Sequence, residues 1–213
     1  MLFRSVDIEG NGEILRINDV PTAGHRMIST GAGPAKGLIV NERFDSLPTP
    51  YVIGRTGYKP HEIALTFDDG PDPVWTPPTL DILKKANVPA TFFVIGENAM
   101  LHPALLRRTV AQGSEIGNHS YTHPNMARLG PRGTSLELNA TQRLVQAYTG
   151  RSMTLFRAPY FGDAEPTTTD ELGPALQAQQ AGYTVVGLHV DPNDWQRPGA
   201  DAIVTQVLDQ VHA

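Results

Sequence analysis

The sequence contains no cysteine among its 213 residues, which excludes a disulfide framework and a thiolate metal site. Any metal ion would therefore be held by histidine and carboxylate side chains. There is no run of basic residues and the net charge is −5 at pH 7, so a nucleic acid is not an expected partner. No segment approaches 18 consecutive apolar residues, and acids interrupt the first nine positions, so we expect neither a membrane span nor an export signal within this sequence.

The composition, with 40% hydrophobic and 18% charged residues, is that of a globular protein with one substantial core. Residues 1–58 are rich in Gly, Pro, Asn and Thr and contain only short apolar pieces, which indicates an N-terminal extension or an inter-domain linker. After Lys59-Pro60, apolar runs alternate with helical patterns. The sequence therefore predicts that a catalytic domain occupies residues 59–213.

Five apolar segments rich in Val, Ile, Phe and Thr are predicted as buried strands. They span residues 62–67, 90–95, 114–119, 153–157 and 183–190, and helices are predicted from Pro77 and over 101–112, 135–148 and 170–181. Strands that alternate with helices indicate an α/β fold with a parallel sheet. Periodicity alone leaves both an open doubly wound sheet and an incomplete barrel as alternatives.

Two adjacent carboxylates, Asp68 and Asp69, end the first of these strands and precede Gly70-Pro71. Adjacent side chains on a strand point to opposite faces, but both can converge on one cavity where the backbone turns away. The simpler interpretation is an Asp-rich turn that caps the next helix.

Two imidazoles, His119 and His123, follow another predicted strand at a spacing of four. This spacing recurs in zinc sites, although a pair of this kind can also be incidental. Together with Asp69 the pair supplies two nitrogens and one oxygen, which leaves open positions for water and substrate, as a hydrolytic metal site requires.

An arginine, Arg157, stands at a further strand end before a Pro-aromatic-Gly turn. Its guanidinium could orient Asp68 and keep it ionised, or it could simply bridge two loops.

The segment 191–195 brings Asp194 and Trp195 to the end of the last predicted strand, where an indole suits a sugar ring. The same segment also has the residue types of a tight turn, and Trp195 could simply pack against neighbouring side chains. His189 is expected in the strand interior, without a role.

All four polar clusters fall at the carboxyl ends of successive predicted strands, the edge on which α/β folds build their sites. In order and spacing they resemble the signature of the polysaccharide deacetylase (NodB-homology) family of carbohydrate esterases, over about residues 59–213. The resemblance implies a distorted (β/α) barrel and hydrolysis of N-acetyl groups on N-acetylglucosamine-containing polysaccharides. It implies a divalent metal, usually Zn²⁺ with Co²⁺ or Mn²⁺ as alternatives.

By the same resemblance, Asp69, His119 and His123 would bind the metal and Asp68 would be the general base. Arg157 would hold Asp68. Further along, the backbone of Tyr160 would help to hold the oxyanion, and Asp194 would support the general acid. Pro159, Tyr160 and Trp195 would contact the substrate.

The family's last motif, a Leu-x-His segment that provides the general acid, has no counterpart after Trp195 in this sequence. His212 lies in an amphipathic helical pattern and is not expected to replace it. We therefore expect a C-terminally truncated barrel with an exposed edge and weak activity. Such a domain would be one module of a larger, exported or envelope-associated glycan enzyme. The loop 163–169 is expected to help set the substrate.

Two alternatives follow from different protein classes. The missing acid favours a catalytically silent, metal-retaining glycan-binding module. A different metallohydrolase, such as a phosphoesterase, would share Asp and His ligands but should carry more metal-binding carboxylates and more basic phosphate contacts than this sequence offers.

Overall fold

The computed structural model describes residues 6–19, 21–160, 166 and 168–211. An eight-stranded sheet forms its centre, in the strand order β1-β5-β2-β10-β9-β8-β7-β6, and β3 and β4 form a separate two-stranded sheet. The strands are β1 Val6–Gly10, β2 Ile14–Asp19, β3 His25–Thr30, β4 Ile39–Ser46, β5 Tyr51–Thr56, β6 Thr66–Gly70, β7 Thr91–Val94, β8 Glu115–Asn118, β9 Leu155–Phe156 and β10 Thr184–Val186.

Six α-helices occur in the described residues: α1 Thr76–Ala86, α2 Gly96–Leu101, α3 Pro103–Ala111, α4 Pro131–Thr149, α5 Thr169–Gln180 and α6 Ala200–Val211. Their ends follow local chemistry. Pro131 opens α4, and Gly150 closes it in the left-handed conformation that glycine adopts readily. A capping box between Thr168 and Glu171 starts α5. None of the helices in this described part is both long and apolar enough to cross a membrane.

Strands β6 to β10 are parallel and neighbour one another in chain order, which confirms the predicted α/β class with a parallel sheet. Strand β7, which lies next to the terminal strand β6, places Phe92, Phe93 and Val94 in the core at 4% exposure or less. The helices cover the sheet with buried side chains such as Leu80 of α1 and Leu138 of α4. Burial on both faces explains why β7 consists of a continuous apolar run.

The sheet curves strongly at the parallel end. In a flat sheet, β6 would lie three strand spacings, about 14 Å, from β9. Arg157, which directly follows β9, nevertheless donates to Thr66 in β6 at 2.9 Å and to the carbonyl of Gly187 beyond β10 at 2.7 Å. The strands therefore wrap around a common centre as in part of a barrel, although no ladder joins β6 to β1 among the described residues.

The part of the predicted extension or linker that the structure describes, residues 6–19 and 21–58, contains five strands. Strands β1, β2 and β5 belong to the main sheet, and β2 pairs antiparallel with β10 along the edge that we expected to be exposed. Leu15 and Ile17 of β2 are buried, and both the N–H and the C=O of Ile17 bond to the side chain of Gln179 in α5. The short apolar pieces were too brief to reveal this pairing, while the division into domains at residue 58 stays a prediction.

The integration of β2 into the core is testable by replacing Leu15, which is 6% exposed, with alanine. We expect Leu15→Ala to lower the free energy of unfolding by about 2–4 kcal/mol, because it leaves a cavity in the core against which β2 packs. Ile14→Ala, on the opposite face of the same strand and 40% exposed, should cost within about 1 kcal/mol. Denaturant unfolding followed by circular dichroism measures both, and equal effects would contradict the packing described here.

Candidate active site

The polar clusters singled out in the sequence meet at the carboxyl ends of the parallel strands. Asp68 and Asp69 lie within β6 near its end, His119 directly follows β8, and Arg157 directly follows β9. The predicted strand stopped before the two aspartates, whereas β6 continues to Gly70. The register of β6 against β7 shifts between Phe67 and Gly70, and this irregularity lets both carboxylates approach the same histidine.

Asp69 adopts a left-handed backbone conformation, with φ at +66°. For a residue other than glycine this conformation costs about 1–2 kcal/mol, so the surroundings must maintain it. One such contact comes from Asn98 in α2, whose side-chain amide donates to the carbonyl of Asp69 at 2.8 Å. A strained residue at the end of a strand is a common feature of functional sites.

The carboxylate of Asp69 lies between two imidazoles. Its Oδ1 is 3.4 Å from Nε2 of His119 and 3.1 Å from Nε2 of His123. Hydrogen bonds with His119, and then with His123, hold the pKa of the Asp69 carboxyl well below its ordinary value against the opposing effect of burial. The carboxylate is therefore ionised at neutral pH.

One ligand atom from each of Asp69, His119 and His123 lies within 4.8 Å of the others, which makes the three a possible metal site. Two imidazole nitrogens and one carboxylate oxygen form a donor set that suits Zn²⁺ and leaves coordination positions free for water and substrate. The predicted ligands are thus brought together.

His119 is almost fully buried and its orientation is fixed by the backbone. Its Nδ1 lies 2.7 Å from the carbonyl oxygen of Arg157. A carbonyl can only accept, so Nδ1 donates to it, and Nε2 is the ring nitrogen that faces Asp69. This is the arrangement that orients metal-binding histidines in general.

The guanidinium of Arg157 is buried, and the structure surrounds it with acceptors. It donates to Oδ1 of Asp68 at 2.8 Å, to Thr66 and to the carbonyl of Gly187, and its Cζ lies 4.3 Å from the ring centroid of Phe93. The other carboxylate oxygen of Asp68 lies 3.9 Å from Nε2 of His119. Asp68 is therefore oriented by Arg157, with its free oxygen directed toward the cluster.

Tyr160 lies beside His123, with a distance of 4.8 Å between the ring centroids. Its backbone is left-handed, with φ at +65°, and its side chain is exposed, whereas the preceding Pro159 is buried. Most of the loop 163–169 falls outside the described residues, as does His212.

Asp194 and Trp195 lie in a short 3-10 turn, and both are exposed. No hydrogen bond or ion pair in the described part of the chain joins them to the Asp69 cluster.

His189 was wrongly expected in a strand interior: β10 ends at Val186, and the His189 side chain is 68% exposed, with Nδ1 lying 3.4 Å from the Glu13 carboxylate. The short strand explains the error, because the apolar run continues past the point where pairing stops.

Sequence reasoning missed the residues that hold the site together. Asn98 supports Asp69, Asn118 bonds to the backbone of Ser120, and Glu137 binds the loop between the two histidines. Each of these side chains bonds to a backbone group that lies 2 to 29 residues away in the sequence. No motif of fixed spacing therefore identifies them. Only the tertiary arrangement reveals these contacts.

The chain is similar to known polysaccharide deacetylases. The family model described as polysaccharide deacetylase matches residues 56–186. A chitooligosaccharide deacetylase of Sinorhizobium fredii is 44% identical over 162 residues, which cover 75% of this chain and 71% of that protein. The peptidoglycan-N-acetylmuramic acid deacetylase PdaC of Bacillus subtilis is 39% identical over 148 residues, which cover 70% of this chain but only 30% of that protein.

Solved structures show the same similarity. The peptidoglycan deacetylase PdaC from Bacillus subtilis matches with a TM-score of 0.61 at 39% identity, over 69% of this chain and 68% of that chain. A pseudoenzyme of carbohydrate esterase family 4 from Bacillus anthracis matches with a TM-score of 0.62 at 31% identity, over 69% of this chain and 50% of that chain. The similarity covers the strands that carry the cluster.

The metal site is testable by removing its nitrogen ligands. His119→Ala and His123→Ala should each abolish stoichiometric zinc binding, because two remaining ligands hold the ion too weakly. His25→Ala, in the separate β3–β4 sheet, is the matched control and should leave the stoichiometry unchanged. Zinc retained after dialysis, measured by mass spectrometry, decides the matter: undiminished zinc in both site variants would refute the assignment.

Proposed function

Because this chain belongs to the polysaccharide deacetylase family, we propose that it hydrolyses N-acetyl groups of N-acetylglucosamine-containing polysaccharides or oligosaccharides and releases acetate. The reaction is the hydrolysis of a linear amide. The proposal rests on one observation. A possible metal site, formed by Asp69 and two histidines, lies beside a separate carboxylate, Asp68, that Arg157 orients.

Family members are metal-dependent, and the cluster suits Zn²⁺, with Co²⁺ or Mn²⁺ as alternatives. When bound, the metal supplies Lewis-acid polarisation of the amide carbonyl and activation of water. Asp69 would contribute charge to this site, while His119 and His123 would contribute neutral nitrogens. His119 would keep its orientation through the carbonyl of Arg157, at 2.7 Å.

Asp68 would act as the general base. Its Oδ1 accepts from Arg157, so Oδ2 remains to take a proton from the attacking water. The side chain is 30% exposed, which allows contact with water and substrate in the cleft.

The remaining predicted site residues keep the roles that the family resemblance implies. The backbone N–H of Tyr160 would donate to the developing oxyanion, next to His123. Pro159 and Trp195 would contact the glycan, and Asp194 would support the protonation of the leaving amine.

The substrate class follows from relatives that are named as deacetylases of chitooligosaccharides or peptidoglycan. We extend to this chain their common chemistry, an N-acetyl amide on an amino sugar within a glycan. A glycan of this kind lies outside the cytoplasmic membrane in the peptidoglycan case, so we propose that the protein acts in or beyond the cell envelope. Other modules of a larger parent protein would be compatible with the partial coverage of PdaC.

A catalytically silent glycan-binding module is the second candidate. It is favoured by the exposed position of Asp194 and Trp195, which have no described contact with the cluster. The structurally similar Bacillus anthracis protein is described as a pseudoenzyme, so the same fold occurs without activity. Chitopentaose binding by calorimetry without any acetate release would select this candidate.

The roles of the adjacent aspartates are separable by substitution. Asp68→Asn should lower kcat for acetate release from chitopentaose by about 10²–10⁴-fold, because it removes the base. Zinc should remain stoichiometric in this variant. Asp69→Asn should instead lose the zinc together with the activity, because an amide is a weaker ligand than a carboxylate.

The matched control is Asp72→Asn, four residues after Asp68 in the turn before α1, which should retain zinc and most of the activity. Full activity in Asp68→Asn, with zinc bound, would contradict the general-base assignment. Unaltered zinc in Asp69→Asn would contradict the ligand assignment.

A further inference from the structure

A four-residue loop, Ser120 to His123, carries the second histidine of the cluster. We infer that Glu137 of α4 is a positioning residue that holds this loop in its metal-binding conformation. The inference rests on the proposed function in one respect, because it assumes that the cluster binds a metal. Glu137 is not a ligand itself and acts only through the backbone.

The loop is held in an unfavourable conformation. Both Ser120 and His123 have positive φ angles, +68° and +55°, which residues other than glycine rarely adopt. Two side chains in or just before the segment support its ends: Oδ1 of Asn118 accepts from the N–H of Ser120, and Oγ of Ser120 accepts from the N–H of His123. The two central N–H groups, of Tyr121 and Thr122, point away from these acceptors.

Glu137 accepts from both central N–H groups. Its Oε2 lies 2.7 Å from the nitrogen of Tyr121 and 2.8 Å from the nitrogen of Thr122, and its Oε1 accepts from the Thr122 hydroxyl at 2.8 Å. Successive N–H groups that converge on one anionic oxygen form a strong, directional binding site. One carboxylate therefore fixes the middle of the loop.

The carboxylate is attached to a rigid support. The adjacent Leu138 is 2% exposed in the core, and the Thr141 hydroxyl bonds to the carbonyl of Glu137 at 3.1 Å. On the other side, the loop carbonyls of Ser120 and Tyr121 accept from the first N–H groups of α2, each at 3.0 Å. The amides of the loop therefore bond to Glu137 on α4, and its carbonyls bond to the first N–H groups of α2.

Without Glu137, the central amides would bond to water and the loop would lose the contact that opposes its strain. The backbone around His123 could then relax toward an ordinary conformation, which would move Nε2 away from Asp69, now 3.1 Å distant. A ligand displaced by a fraction of an ångström binds its metal less tightly. Glu137 therefore raises the metal affinity of a site that it does not touch.

Two variants separate the hydrogen bonds from the charge. Glu137→Ala removes all three hydrogen bonds. Glu137→Gln can keep them, because its oxygen can accept from both amides while its NH₂ donates to the Thr122 hydroxyl, which accepts equally well. Leu136→Ala, on the same helix and 72% exposed, is the matched control.

Zinc dissociation constants, measured by chelator competition, test the inference. We expect Glu137→Ala to weaken binding by about 10–100-fold, and Glu137→Gln by no more than about threefold. Leu136→Ala should match the wild type. In the metal-free protein, the amides of Tyr121 and Thr122 should exchange hydrogen faster in Glu137→Ala alone, while thermal unfolding shows that the variant remains folded.

Wild-type zinc affinity and unchanged amide exchange in a folded Glu137→Ala variant would overturn the inference. An equal loss of zinc affinity in Leu136→Ala would also overturn the inference, because the loss would then come from a disturbance of α4 and not from the hydrogen bonds of Glu137. If the wild type itself binds no zinc, the proposed metal centre is wrong, and the exchange of the two amides alone decides whether Glu137 holds the loop.

Discussion

The buried guanidinium of Arg157 is the interaction on which the site depends. A cation at 3% exposure is stable only if acceptors surround it, and these come from two separate strands or their ends. Asp68 and Thr66 come from β6, and the carbonyl of Gly187 follows β10. Because the carbonyl of Arg157 itself holds His119, one residue connects the candidate base, a candidate metal ligand and the curvature of the sheet.

The metal cluster adds local strain to this framework. Asp69, Ser120, His123 and Tyr160 all have left-handed backbones, and all lie at the same edge of the sheet. Side chains of the surrounding helices contact this backbone: Asn98 on α2 bonds to Asp69, and Glu137 on α4 bonds to Tyr121 in the loop that carries His123. The helices therefore provide more than burial for the sheet, since they also contact the segments that carry the candidate ligands.

The sequence was most informative where chemistry is local. Asp68, Asp69, His119, His123 and Arg157 were recognisable because strand ends and a spacing of four are visible in the chain, and the structure brings all five together. The pairing of β2 with β10 was not predictable, since it joins segments about 170 residues apart through short apolar pieces. His189 was misplaced because an apolar run does not reveal where hydrogen bonding to the next strand ends.

The central claim is that Asp69, His119 and His123 together hold a catalytic metal ion. Crystals grown with zinc, and diffraction data collected on both sides of the zinc absorption edge, test it most directly. If the three side chains bind zinc, we expect one strong anomalous peak about 2.0–2.2 Å from a carboxylate oxygen of Asp69 and from Nε2 of both histidines. A fully loaded crystal with no peak at these three side chains, or with its only peak elsewhere, would contradict it.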